Sequence, residues 1–518
     1  MSLVLLIVIP LAAGLLAWFS GRFHAKAPFW ISFIGLLADL VIGISIWAGS
    51  PSTLIPTATG NHWIMMLNAE WIPQFGISLH LGLDGLSLVL VLLTAFIGLM
   101  AVISSWSEIS ERTGFFYANL MFIEAGILGV FLSLDLFLFY FCWELMLVPM
   151  YFLISIWGHE NRSYASVKFF IFTQASGLLM FVSILGLYFA HGQATGIYTF
   201  DYTQLLGTRL STTASLWLMA GFAIAFAVKL PVVPFHTWLA DAHTEAPTAG
   251  SIILAGLLLK TGAYGFLRFV LPLFPEAASM LAYPAMIAGT VSILYGASLA
   301  FAQTDLKRLV AYTSISHMGF VLIGIFAFNM IALQGALIQM VSHAISTGML
   351  FFIAGALQER MHTREIGLMG GMWSTAPRMG AAALIFAMAS LGLPGMGNFI
   401  GEFLVLLGAY ASDVTITVIA TAGLIAATVY SVWFMHATFF SKAGTALEFS
   451  DFTIREMLVT SVMVLAIIWI GMFPQPLLDM SKDSLQRVQQ LMQAGSNKAI
   501  HVSIKSAANS KGVDDEQP

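Results

Sequence analysis

Lysine, glutamate and histidine inside long apolar stretches are the residues of this chain best suited to chemistry. Lys229 and Lys260 sit among Phe, Ala, Leu and Gly, and so do Glu124, Glu144, Glu402, His317 and His343. Each of these side chains can hold or release a proton. An ionisable group at the centre of a membrane helix costs roughly 2.5–3.5 kcal/mol on insertion scales, so its presence marks ion or proton handling unless packing explains it. Desolvation disfavours the charged form of either type, and a Glu beside a Lys restores the charged form of both. A pair that separates and rejoins can therefore take up and release protons without a cofactor. Glu144 and Lys229 are the candidate pair. The plainer alternative is an ion pair that only ties two helices together. For His317 and His343 the alternative is a satisfied packing residue, and both readings stay open. Asp39 and His436 read as structural, and Glu124 is intermediate.

These groups must be carried by membrane helices. Of 518 residues, 59% are apolar and 9% charged, against about 25% charged in a soluble domain. Lipid is the solvent this composition suits. A net charge of -5 gives no sign of nucleic-acid binding. One cysteine, Cys142, cannot make an internal disulfide, a four-cysteine iron–sulfur site or a structural zinc site, so no redox metal centre is expected in this chain. A span needs about 20 apolar residues. Fourteen candidates are expected, over 2–20, 28–49, 83–105, 115–133, 135–158, 168–190, 212–241, 247–271, 279–301, 305–327, 331–357, 378–411, 413–440 and 455–474. The fold class is thus an all-α polytopic membrane protein. The first span lacks a basic flank and a small-residue cleavage site, so it is expected to be retained. From Ser481 the tail is polar, with a helical pattern ending near Gly495 and disorder expected beyond it. Of the fourteen basic residues assigned to loops, only Arg209 and Arg268 fall in even-numbered ones. The positive-inside rule then puts the odd loops in the cytoplasm and both termini outside. Lys260 lies 13 residues beyond Pro247, about 20 Å into its span at about 1.5 Å per residue. His343 is similarly central, so the ionisable groups form a layer at middle depth.

Two spans are broken. Lys229-Leu230-Pro231-Val232-Val233-Pro234 interrupts the seventh. Proline has no N–H, so Pro231 and Pro234 are expected to leave the carbonyls of Ala227 and Leu230 without helical partners. Such carbonyls must meet protein, water or a cavity. Gly392-Leu393-Pro394-Gly395-Met396-Gly397-Asn398 opens the twelfth, with Glu402 just beyond. Pro231 and Pro394 are five helices apart, and an odd number inverts topology. Spans 4–8 and 9–13 are therefore expected to be two inverted five-helix repeats, with their breaks in matching places as in transporters. The resulting units are 1–110 (three N-terminal spans), 111–273 and 274–441 (the repeats), 442–480 (the last span) and 481–518 (the tail).

Phe141-Cys142-Trp143-Glu144-Leu145-Met146-Leu147-Val148-Pro149-Met150-Tyr151, Lys229-Leu230-Pro231-Val232-Val233-Pro234-Phe235-His236-Thr237-Trp238-Leu239 and Leu393-Pro394-Gly395-Met396-Gly397-Asn398-Phe399-Ile400-Gly401-Glu402-Phe403 closely resemble the antiporter-like membrane subunits of NADH:quinone oxidoreductase, respiratory complex I. The resemblance runs over about residues 1–475. Glu402 stands where the L- and N-type members typically carry Lys, and the chain ends soon after the fourteenth span, without the long lateral helix of the L-type. The resemblance implies that Lys229 is the central proton-carrying lysine, with Glu144 as its modulating partner. It implies that Lys260, His317 and His343 form a hydrated axis, and that Glu402 is the terminal site towards the outer face. His236 would join the axis or assist proton uptake. It implies L- and N-type subunits and lipid as partners, and places NADH, FMN, iron–sulfur clusters and quinone in other subunits. The localisation it implies is a bacterial inner membrane. A sodium/proton antiporter subunit and a membrane-hydrogenase subunit share the fold and much of the motif set. A haem protein using His317 and His343 is a third alternative, without a second well-placed histidine pair.

Overall fold

The structure, a computed structural model, describes residues 2–49, 55–56, 62–442 and 450–511. Its helices are α1 (Ser2–Ser20), α2 (Ala27–Gly49), α3 (Gly85–Glu108), α4 (Thr113–Leu132), α5 (Leu136–Trp157), α6 (Arg162–Thr195), α7a (Thr212–Lys229), α7b (Thr237–Glu245) and α8 (Thr248–Leu273). They continue as α9 (Ala282–Phe301), α10 (Leu306–Phe326), α11 (Met330–Met361), α12a (Pro377–Ser390), α12b (Gly397–Ser412), α13 (Val414–Phe440), α14 (Ile454–Met472) and α15 (Gln475–Lys511). Among the described residues thirteen of these segments are long and apolar enough to cross a membrane. The twelfth expected span is not one of them, because its break divides it into α12a and α12b, each too short alone.

Polar caps set the helix ends. Asp84, Asp135, Asp305, Asn329 and Asp413 each accept a hydrogen bond from a backbone N–H in the first turn of the following helix, and Thr453 with Glu456 forms a capping box. A lipid-solvated helix has no water at its core to satisfy its first N–H groups, so these caps define where each span starts. α8 and α11 are buried all round. They form the centre of the bundle and carry Lys260 and His343.

An antiparallel hairpin, β1 (Met65–Ile72) and β2 (Ile77–Leu83), covers the even-loop end. The span count did not disclose it. Two contacts pin it: His80 Nδ1 lies 2.9 Å from Asp201 Oδ2, and Asp135 Oδ2 accepts from the Ser78 backbone N–H at 2.9 Å. β2 leads into Asp84, which is ion-paired with Arg268 at 2.6 Å. Burial works to raise the Asp84 carboxyl, but the Arg268 charge and hydrogen bond outweigh it and hold the group below the usual carboxylate range.

Three sequence expectations change here. Arg268 and Lys307 were counted with the loops, but they lie inside α8 and α10, and both are buried. The tail is not a separate unit beginning at Ser481. α15 runs without interruption from Gln475 to Lys511, across both the expected boundary and the expected end near Gly495. Apolar Leu477, Leu485, Val488 and Met492 bury one face of it. A Cβ at Gly85 would collide with the Met480 carbonyl, so glycine at the start of α3 is what allows α15 to lie so close. Residues 512–518, also expected to be disordered, lie outside the described residues.

Candidate functional site

The break between α7a and α7b is largely repaired by protein. The Ala227 carbonyl, expected to lose its partner, accepts from the Val232 N–H at 2.9 Å. The Trp238 indole donates to the Val228 carbonyl at 3.0 Å, and the Ser292 hydroxyl accepts from the Val233 N–H at 3.0 Å. Lys229, the last residue of α7a, projects its ammonium into an aromatic pocket. Nζ lies 5.2 Å from the Trp143 ring centroid and 5.7 Å from that of Phe169. It is buried and has no hydrogen-bond partner among the described residues. No ion pair joins it to Glu144. That carboxylate is half-buried on α5, flanked by Tyr140 and Gln174, with one oxygen unpartnered. The two groups interact across a gap with the Trp143 ring close by.

Lys260 stands between two π-helical turns of α8, Leu254–Leu258 and Phe266–Val270. Its ammonium donates to the Ala255 carbonyl of the first turn and lies 2.7 Å from His343 Nδ1. The His343 and His317 rings are 5.7 Å apart, centroid to centroid. His317 Nδ1 is 2.8 Å from Glu402 Oε1, which also accepts from Gln339 Nε2 at 2.9 Å. His317 Nε2 reaches the Ser390 and Tyr430 hydroxyls at 3.1 and 3.3 Å. Lys260, His343, His317 and Glu402 are thus one contiguous cluster built from α8, α10, α11 and α12b, with α12a and α13 closing it. Gly392 makes the second break possible. Its φ is +80°, and a Cβ there would come within 3.1 Å of Glu402 Oε2.

Several buried atoms along this cluster have no partner among the described residues: Glu402 Oε2, His343 Nε2, Gln339 Oε1, Ser342 Oγ and both polar atoms of the Asn398 side chain. An unpaired buried polar group costs about 1–3 kcal/mol. A polar gap of this kind suits water, which can offer such groups about two to four hydrogen bonds.

Two expected residues lie apart. Glu124 on α4 is fully buried with both oxygens unpartnered, near Asp39 rather than near the Lys260 cluster. His236 lies beyond the first break, edge-on to Tyr295 at 5.4 Å. Sequence reasoning missed Gln339, Ser390 and Tyr430, because neutral residues in apolar helices carry no charge signal. It also missed His243, a second buried histidine about two helical turns after His236.

A chain of proton-holding groups through a bundle with two broken helices defines a class of ion-translocating membrane subunits. Residues 133–429 match the family model described as NADH:quinone oxidoreductase/Mrp antiporter, TM. Subunit M of NADH-quinone oxidoreductase from Escherichia coli (strain K12) is 50% identical over 498 residues, which is 95% of this chain and 98% of that protein. A chain of respiratory complex I from Thermus thermophilus superposes with a TM-score of 0.85 at 30% identity, covering 95% of this chain and 99% of that one. A chain of the Mrp complex from Dietzia sp. DQ12-45-1b shares the fold, with a TM-score of 0.82 at 19% identity. This chain belongs to the NADH:quinone oxidoreductase/Mrp antiporter membrane family, and within it to the group formed by subunit M of NADH-quinone oxidoreductase.

Proposed function

We propose that this chain is the M-type proton-translocating membrane-arm subunit of NADH:quinone oxidoreductase, a proton-pumping translocase. The observation that carries the reading is the contiguous buried cluster Lys260–His343–His317–Glu402, in a chain half identical to subunit M. Lys229 is the central proton carrier of the first half, and Glu144 modulates it. The histidines and Lys260 pass protons between the halves, and Glu402 is the terminal site. Glu124 and His236 assist from the side, and the breaks at Pro231, Pro234 and Pro394 give these groups room to hydrate. Quinone reduction elsewhere in the complex perturbs charge along the membrane arm. That changes the Glu144–Lys229 interaction and shifts proton occupancy along the line. Spans 4–8 and 9–13 act as inverted repeats. The odd loops face the cytoplasm across a bacterial inner membrane, both termini face the periplasm, and L- and N-type subunits are the neighbours. NADH, FMN, iron–sulfur clusters and quinone are bound by other subunits.

The Mrp antiporter reading has the shared family model and a fold likeness at 19% identity behind it, against 50% identity to subunit M, and Glu402 stands where those relatives typically carry lysine. The test is NADH-driven acidification of inverted membrane vesicles, wild type against Lys229→Ala, with NADH oxidation by an artificial acceptor as the measure of assembled complex. Loss of acidification and of quinone-linked turnover in assembled complex supports the reading. Unchanged acidification sinks it and makes sodium-dependent proton exchange the next assay.

A further inference from the structure

α8 runs from the odd-loop end of the bundle at Thr248 to the even-loop end at Leu273, with Lys260 near its middle. The surroundings change along it. Close to Lys260, on α11, His343 Nε2, Ser342 Oγ and Ser346 Oγ are buried without partners among the described residues. Tyr264 and Arg268 follow Lys260 by four and eight residues, on about the same helix face and about 6 and 12 Å nearer the even-loop end. There the polar groups are taken. Arg268 donates to Asp84 Oδ2 at 2.6 Å and, from Nε, to the Tyr264 hydroxyl at 3.1 Å. The Tyr264 hydroxyl donates in turn to the Phe131 carbonyl of α4 at 3.0 Å and lies 3.2 Å from Ser87 Oγ. Asp84 Oδ1 accepts from the Ser87 N–H at 2.9 Å. All four side chains are buried, and the Trp63 ring, just ahead of β1, lies 5.1 Å from the guanidinium. Among the described residues, the Trp63 indole N–H is the one buried polar atom of this group without a partner, and an indole can only donate.

Burying two charges costs several kcal/mol for each ion, and well-packed apolar residues in their place are often as stable. Helix packing alone is therefore a poor reason for this pair. What its members share is that none of them passes a proton on. A guanidinium keeps its protons, and an arginine in a pore is a barrier to protons and cations. The Tyr264 proton is committed to a carbonyl. The Asp84 carboxylate, held below its ordinary range by Arg268, does not take a proton up. Tyr202 and, beyond it, Arg487 of α15 are the other ionisable groups near the pair, and both types keep their protons at neutral pH.

We propose that the Arg268–Asp84 pair, with Tyr264, is a proton seal on the even-loop side of Lys260. It stops protons from passing straight along α8 between Lys260 and the outer face, so that exchange with that face goes by way of Glu402. The seal rests on the functional reading above. Its weak point is Asp84. Without Arg268, the Asp84 carboxylate becomes a proton acceptor on the outer side of Lys260. Without Asp84, the guanidinium alone remains and still repels a proton.

The test uses the purified complex in proteoliposomes. NADH builds a pH gradient and is then exhausted, and the decay of the gradient is followed, normalised to assembled complex. Arg268→Met should make the decay about tenfold faster or more, since a positioned proton-transfer group is worth about 10²–10⁴ in rate. Asp84→Asn leaves an uncompensated charge in the core just as Arg268→Met does, but no acceptor, and it should hold the gradient as wild type does. The double variant Arg268→Met/Asp84→Asn should hold it too. If Arg268→Met does not assemble, Arg268→Gln, which keeps a donor to Asp84 without the charge, takes its place. A pair that only ties helices together predicts equal leaks from the two single variants. That result, or a wild-type decay in Arg268→Met, overturns the seal. Lys229→Ala separates the two hypotheses. If it abolishes NADH-driven acidification while Arg268→Met stays tight, the seal is wrong and the functional reading stands. If Lys229→Ala pumps at the wild-type rate, both fall.

Discussion

The two broken helices place their ionisable residues in opposite surroundings. Lys229 ends α7a among the rings of Trp143 and Phe169, with no hydrogen bond to its ammonium. Glu402, one turn into α12b, holds His317 and Gln339 on one oxygen, and through His317 it reaches Ser390 and Tyr430. A cation facing only aromatic rings is weakly held, at about 0.5–2 kcal/mol per ring. A carboxylate in a hydrogen-bonded network is held by several charge-assisted bonds of about 1.5–3 kcal/mol each. The difference teaches a division of labour. The first break presents a loosely held cation, and the second presents a carboxylate whose position is fixed by its neighbours, which is the difference the proposed roles of the two groups draw on.

The sharpest way to break the comparison is to delete both ends in turn. Lys229→Ala and Glu402→Ala should each lower NADH-driven acidification by about a hundredfold or more, the low end for a positioned proton-transfer group. Only Glu402→Ala should also destabilise the chain, by about 2–5 kcal/mol, because it strands His317 and Gln339 in the core. Thermal unfolding of the purified complex separates the two cases, and equal losses of stability would end the contrast. Next in size is Gln339→Leu, which removes one donor to Glu402 and should cost about 1–2 kcal/mol with a severalfold slower pump. Trp143→Leu removes a ring beneath the Lys229 ammonium and should cost about 0.5–2 kcal/mol. Its signature is a change in the pH dependence of turnover larger than the change in stability. An unaltered pH profile would show that the ring only fills space.

The smallest effect lies outside the membrane layer. Burial, together with the charges of Lys307 and Arg364, holds the His159 imidazole down at about 3. In the unfolded chain the same group protonates near its ordinary value of about 6.5. The unfolded state therefore binds more protons between these values, and stability from this residue is present above about pH 6.5 and is lost as pH falls towards 3. His159→Gln should flatten part of the loss of thermal stability between pH 7 and pH 5. A steeper loss in the variant would contradict the sign.

The site was partly legible because charge in an apolar helix is a strong signal. Lys229, Lys260, His343, His317 and Glu402 stood out from the sequence for that reason. Gln339, Ser390 and Tyr430 did not, since each is uncharged and becomes distinctive only when it meets His317 or Glu402. The Glu144–Lys229 pair shows the same limit from the other side. Residue type suggested direct contact, and the fold leaves a gap beside the Trp143 ring. Arg268 read as a loop cation because it sits near a span end, and its pairing with Asp84 across 184 positions brought it inside.

The sequence by itself determined the class of protein, thirteen of the fourteen expected spans and the two proline-marked breaks. Those follow from hydropathy, length and the missing N–H of proline, all of which are local. Tertiary structure alone decided which groups touch. It repaired the Ala227 carbonyl with Val232, docked α15 against α3 at Gly85, and set Lys260 against His343 and His317 against Glu402. Such contacts join residues tens to hundreds of positions apart, and their geometry depends on how whole helices pack, which no local pattern encodes.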